Sequence, residues 1–136
     1  MEKMNDDVIN GLVDDWDDVY KKGQLGVWIL LSIYDGRKYT AEIIEFMDKA
    51  SHGHFAVKEQ SLYRALRRFK DMGLVDVTEE QSPNSGPKRK YYELTELGVV
   101  VLGKFTTLNI RPLLQPQIST LINHLAEEIR HYENNR

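Results

Sequence analysis

Gln60, Tyr63, Arg64 and Arg67 stand three, one and three residues apart. At 100° per residue, that spacing gathers them on one side of a helix. Their side chains share one chemistry. Arginine donates paired hydrogen bonds to the guanine edge, and glutamine pairs in the same manner with adenine. Tyrosine offers a hydroxyl to a phosphate or a ring to a thymine methyl. Lys58 and Ser61 add a cation and a second hydroxyl close by. A second set follows as an unbroken run, Lys88, Arg89 and Lys90, with no acid between positions 82 and 90. Cations at that density, on the tip of a turn, suit phosphates or a minor groove. Taken singly, each island also reads as a solvated face. Their joint placement carries the argument, and it depends on the elements around them.

The bulk composition does not announce a polyanionic partner. The 136 residues carry a formal net charge of −3. Over 1–20, Glu2, Asp6, Asp7, Asp14, Asp15, Asp17 and Asp18 stand against Lys3 alone. Local charge still matters more than net charge, because salt screens interactions over about 10 Å. There is no cysteine. Disulfides, thiol catalysis and cysteine-ligated zinc are therefore excluded. His52 and His54 form an H-x-H pair, but no further ligand stands near them in the chain. A loop is the stronger reading, and no metal or other cofactor is expected. The paired aspartates point apart on a helix and imply no pocket that would raise a pKa, so they read as a solvated face. No phosphate-cradling glycine loop, nucleophile elbow or catalytic set is present, so an enzyme is not expected. The charged start and the short apolar runs read as a cytoplasmic chain without signal peptide or membrane span.

Stepwise periodicities supply the supporting elements. Residues 5–21 read as a helix through Ile9, Leu12, Trp16 and Val19, closed by Gly23. Residues 24–35 are apolar on nearly all sides and read as a central, buried helix. Asp35-Gly36 is a turn, 38–50 an amphipathic helix, and 51–55 a loop. Residues 58–72 bury a stripe of Leu62, Ala65, Leu66, Phe69 and Met72 and end at Gly73. Strands follow at 74–78 and 89–94, with Tyr91 and Tyr92 on opposite faces. The polar loop 79–88 between them holds Ser82-Pro83-Asn84-Ser85-Gly86-Pro87, which makes a hairpin with a basic tip. Thr95 caps a helix to about 110, Arg111-Pro112 breaks it, and Pro116 opens the last helix, 117–133. There Ile118, Ile122, Leu125, Ile129 and Tyr132 recur at 4-3-4-3 spacing, a coiled-coil seam that Leu121 widens.

The order helix, helix, basic helix, strand, basic turn, strand, helix is that of a winged helix-turn-helix. Its second motif helix enters a major groove and its hairpin reaches the backbone. Both basic islands fall on those two parts. At these residues the chain resembles the PadR family of transcriptional regulators. The resemblance rests on Ser61-Leu62-Tyr63-Arg64-Ala65-Leu66-Arg67-Arg68-Phe69, on Met72-Gly73-Leu74-Val75, and on the stretch from Gly86-Pro87-Lys88-Arg89-Lys90-Tyr91-Tyr92 to Glu93-Leu94-Thr95-Glu96-Leu97-Gly98. It implies a three-helix winged domain, a C-terminal dimerisation helix and operator binding, usually as a repressor. By position it places Ser61, Tyr63, Arg64 and Arg67 against DNA and Lys88, Arg89 and Lys90 in the wing. The family's Gly-Tyr-Glu early in the second helix is replaced here by Thr40-Ala41-Glu42, with Tyr39 as the substitute for its tyrosine.

The sequence thus predicts a mainly α fold with a small β-hairpin. The expected divisions are an acidic N-terminal helix over 1–23, a winged helix-turn-helix over 24–98 and a helical dimerisation region over 99–136. The expected partners are double-stranded DNA, read as an inverted repeat, and a second copy of the chain. Trp16 and Trp28 add a small aromatic effector as a candidate ligand, a property the resemblance implies for some members, although core packing is the stronger reading of Trp28. Two rivals stand beside this reading. One is a winged helix used only for protein contact, and the other is a small-molecule sensor without strong DNA binding.

Overall fold

Asn5 opens the first helix by accepting hydrogen bonds on its side-chain oxygen from the amides of Asp7 (2.8 Å) and Val8 (3.4 Å). Helix α1 then runs Asp6–Tyr34. The computed structural model describes residues 4–84 and 86–135. After α1 come α2 (Thr40–Ala50), α3 (Glu59–Asp71), strands β1 (Val75–Glu80) and β2 (Arg89–Leu94), α4 (Glu96–Asn109), a 3-10 turn (Arg111–Leu114) and α5 (Pro116–Asn134). Ser85, part of the turn cluster singled out above, lies outside the described residues, as do the charged residues 1–3.

The expected stop at Gly23 does not occur, and α1 continues through it to Tyr34, 29 residues in all. One glycine inside a helix costs about 1 kcal/mol relative to alanine. The turns on either side absorb that cost, helped by the i,i+4 pair of Asp17 and Lys21 at 3.1 Å. The expected burial of 24–35 on nearly all sides is also corrected. Ile29, Leu30 and Ile33 are buried, whereas Leu31 and Tyr34 are exposed.

The core lies where α1, α2 and α3 meet. Ile29 and Ile33 of α1, Ile43 and Met47 of α2, and Leu62, Leu66 and Phe69 of α3 contribute to it. Each large apolar side chain stabilises the fold by about 1.5–3 kcal/mol when fully buried. The Phe69 ring fits against Gly26, where a Cβ would come within 3.0 Å of it. Met72, expected in the same stripe, instead caps the end of α3 and is exposed. Gly73 follows at φ 80°, the left-handed conformation that favours glycine, and turns the chain into β1.

The antiparallel hairpin pairs Val75 with Leu94 and Glu80 with Arg89. It therefore extends two residues into the segment expected as loop. Glu79 opposite Lys90 and Glu80 opposite Arg89 are favourable cross-strand pairs that prolong the ladder. The expected helix start at 38 moves to Thr40 because Lys38 is used otherwise. Its backbone exchanges hydrogen bonds with Tyr92 (3.1 and 2.8 Å), giving the hairpin a short third edge. Its ammonium donates to the carbonyls of Ser32 (2.7 Å) and Gly36 (3.2 Å) and closes the end of α1.

Thr95 caps α4 as expected: its hydroxyl accepts from the Gly98 amide at 2.9 Å and donates to the Gly73 carbonyl at 2.7 Å. Gly98 lies so close to the Leu74 carbonyl that an added Cβ would meet the oxygen at 2.1 Å. These elements form a winged helix-turn-helix: α2 and α3 are the motif and β1-β2 is the wing. The chain divides into two compact units, Met1–Val99 and Val100–Arg136. Among the described residues, no helix is long and apolar enough to cross a membrane.

Candidate nucleic-acid interface

Helix α3 is amphipathic, and that decides what it presents. Leu62, Ala65, Leu66 and Phe69 face inward, so Gln60, Tyr63, Arg64 and Arg67 are left exposed on the other side. Lys58, at the N-cap, is exposed and Ser61 is half-buried. Arg68, adjacent to this set, turns its guanidinium toward the Phe69 ring (5.9 Å).

The wing stands beside the same face. Lys88 and Lys90 are exposed and Arg89 is half-buried. A hollow of about 330 Å³ is bordered by Tyr39 and Thr40 at the start of α2, Tyr63 of α3, and Lys88, Arg89 and Lys90 of the wing. A second hollow, of about 190 Å³, is bordered by Tyr63, Arg67 and Lys70 on one side and Lys90 and Tyr92 on the other. The structure thus brings both basic islands to one surface. It also brings Tyr39 there: the Arg89 guanidinium lies over its ring at 4.4 Å. Thr40, at the position of the missing glycine, sets its hydroxyl 3.5 Å from that of Tyr63. The Tyr63 hydroxyl also donates to Glu59 (3.4 Å).

Two residues that the sequence did not single out hold this arrangement. Arg37 lies between α1 and α2 and forms a two-pronged bridge to Glu80 at the end of β1. Each partner stabilises the charged form of the other: Glu80 raises the Arg37 pKa, and Arg37 holds the Glu80 carboxyl below its ordinary value. The Arg37 guanidinium also lies over the Tyr91 ring at 4.5 Å, and the Tyr91 ring meets Tyr39 edge-on at 5.6 Å. Arg37, Tyr91, Tyr39 and Arg89 therefore stack in one row across the wing and the start of α2. The expected alternation of Tyr91 and Tyr92 makes this possible, one ring facing this row and the other the core.

The histidine loop is tied down by another contact. His52 (φ 55°) and Gly53 (φ 78°) both adopt left-handed backbone, and the turn carries His54 to within 3.2 Å of Asp17. Burial pushes the Asp17 carboxyl up, but hydrogen bonds from Lys21 and His54 outweigh it and hold its pKa low. Asp17 is thus a paired residue, not part of a wholly solvated acidic face. Among the described residues, no group of His, Asp and Glu is placed to hold a metal ion.

Helix α5 carries its predicted seam outward. Leu121, Ile122, Leu125 and Ile129 are exposed, Leu125 to 61 %. Ile118 and Tyr132 are half-buried. The first half of α1 is similar, with Leu12, Val19 and Trp16 exposed, the last to 77 %.

The sequence pattern of the transcriptional regulator PadR-like family matches residues 29–104, more than half of the chain. The chain belongs to that family. The match spans α2, α3 and the wing, which are the elements that build the surface described above. A PadR-like transcriptional regulator from Bacillus cereus is similar at 31 % identity and a TM-score of 0.57, covering 77 % of this chain and 93 % of its own. A PadR-like transcription factor from Bacteroides fragilis shares 27 % identity at a TM-score of 0.54, covering 86 % of this chain and 97 % of its own. The PadR protein of Bacillus subtilis, solved in complex with operator DNA, shows the same fold at 20 % identity and a TM-score of 0.54. That likeness covers 60 % of this PadR-like chain and 45 % of the other.

Proposed function

We propose that this PadR-like regulator binds operator DNA as a homodimer and acts as a repressor. The observation that carries the reading is the single surface shared by the exposed face of α3 and the three wing cations. Helix α3 would lie in a major groove, with Arg64 and Arg67 toward guanine, Gln60 toward adenine and Tyr63 toward phosphate or a thymine methyl. Lys58, Ser61, Lys88, Arg89 and Lys90 would hold backbone phosphates, joined by Tyr39 through its contact with Arg89. The crystallised complex of Bacillus subtilis PadR with operator DNA supports this reading for the family's fold.

Dimerisation follows from exposed apolar surface. Leu121, Ile122, Leu125 and Ile129 left in water would be costly, and a second copy of α5 is the natural cover for the seam that runs from Ile118 to Tyr132. The apolar side of α1 would contribute to the same dimer. Twofold symmetry makes the operator an inverted repeat. The reading keeps the domain roles expected from the sequence and a cytoplasmic site of action. It also allows a small aromatic effector, received by Trp28 beside Leu31, Tyr34 and Phe46, where an open hollow lies.

Selection of bound duplexes from a random pool tests the reading. Recovery of an inverted repeat bound by a dimer is the expected result. Recovery of no preferred sequence, with binding absent at low salt, would overturn it.

A further inference from the structure

Tyr92 is only 7 % exposed, and its backbone is fixed on both edges, by Val77 across the hairpin and by Lys38. Its hydroxyl nonetheless meets no hydrogen-bond partner among the described residues. The ring is buried, but the hydroxyl oxygen is not sealed in the core and is free to take a partner from outside the chain. Tyr92 borders both hollows of the candidate interface, and Tyr63 and Lys90 border both with it. The Thr40 hydroxyl joins from the start of α2, 3.5 Å from that of Tyr63. Burial raises the pKa of the Tyr92 hydroxyl, and Tyr63 adds to the effect, so it stays a neutral donor.

We propose that the hydroxyls of Tyr92, Tyr63 and Thr40 form a seat for one backbone phosphate of the bound duplex, with Lys90 at its rim, the Tyr63 hydroxyl turning to the phosphate from its long bond to Glu59. The seat rests on the reading that this surface engages DNA, and it adds a division of labour. The cations attract the backbone from a distance. The neutral hydroxyls fix which phosphate settles and where, and so set the register in which α3 meets the bases. Tyr92 suits that role because its ring is immobile.

Tyr92→Phe removes one oxygen and keeps the ring. The thermal midpoint should stay level, since the hydroxyl bonds no other described residue of the chain. Affinity for the preferred and for scrambled duplexes should fall about two- to tenfold, the loss of one neutral hydrogen bond. The slope of log affinity against log salt should not change, because no cation is removed. Thr40→Val should behave alike. A scan of single methylphosphonates should find one position per half-site at which parent and Tyr92→Phe bind equally. Equal affinity of parent and variant for ordinary duplexes would overturn the seat while leaving DNA binding intact. So would a lower thermal midpoint that accounts for the lost affinity. Competition by inorganic phosphate that Tyr92→Phe abolishes, without any sensitive methylphosphonate, would reassign the seat to a free anion. Failure of the parent chain to bind any duplex would overturn both the seat and the function on which it rests.

Discussion

The guanidinium of Arg37 holds the carboxylate of Glu80 in a two-pronged bridge, with Nη2 2.7 Å from Oε2. It ties the short connection between α1 and α2 to the last pair of the wing's ladder, beside the wing loop. Both side chains are partly exposed, so the bridge matters more for the angle of the wing than for the stability of the domain.

Glu80→Gln keeps the shape and removes the charge. Arg37 lowers the folded pKa of Glu80, so the bridge contributes fully above the ordinary glutamate value and fades as pH falls through the lowered one. Thermal midpoints of parent and variant should therefore differ at neutral pH and converge in acid. A difference that persisted in acid would mean that the bridge does not act through charge.

The wing is expected to hold phosphates. Replacing Lys88 and Lys90 by alanine should weaken binding to all duplexes alike. It should also flatten the slope of log affinity against log salt by about one unit per lost contact. An unchanged slope would place the wing away from DNA.

Leu125 stands in the middle of the α5 seam and is exposed in the single chain. Leu125→Lys puts a charge into each copy of the expected interface. Sedimentation should show the dimer dissociation constant raised by at least about tenfold, since a fully buried leucine contributes about 1.5–3 kcal/mol. Operator binding should weaken with it. A parent chain that sediments as a monomer at micromolar concentration would contradict the dimer.

Much of this fold was legible because its signals are local. The stripe of Leu62, Ala65, Leu66 and Phe69, the left-handed Gly73 and the capping Thr95 each act within a few residues. So does the alternation that sends Tyr91 and Tyr92 to opposite faces. The stop at Gly23 was misread because a glycine signal is weak inside a long helix. The exposed side of 24–35 was missed because hydropathy alone does not show which apolar residues find a neighbour. At the site, the residue types on α3 and the wing pointed to one surface. The parts that position it were not legible. Arg37 and Glu80 lie far apart in the chain, and nothing in either neighbourhood marks them as a pair. Lys38 reads as a surface cation, yet it closes α1 and extends the hairpin. The nearness of Thr40 to Tyr63 follows from how α2 crosses α3, which no spacing encodes.

The central claim is that α3 reads DNA sequence, and Arg64 and Arg67 test it most directly. Affinities of Arg64→Ala and Arg67→Ala should be measured on the selected operator and on a scrambled duplex at one salt concentration. A base-reading arginine should cost about 1–3 kcal/mol on the operator and relax the preference at one position. On scrambled DNA the same variant should bind nearly as the parent does. If neither substitution changes affinity for either duplex, α3 is not the recognition helix and the account fails.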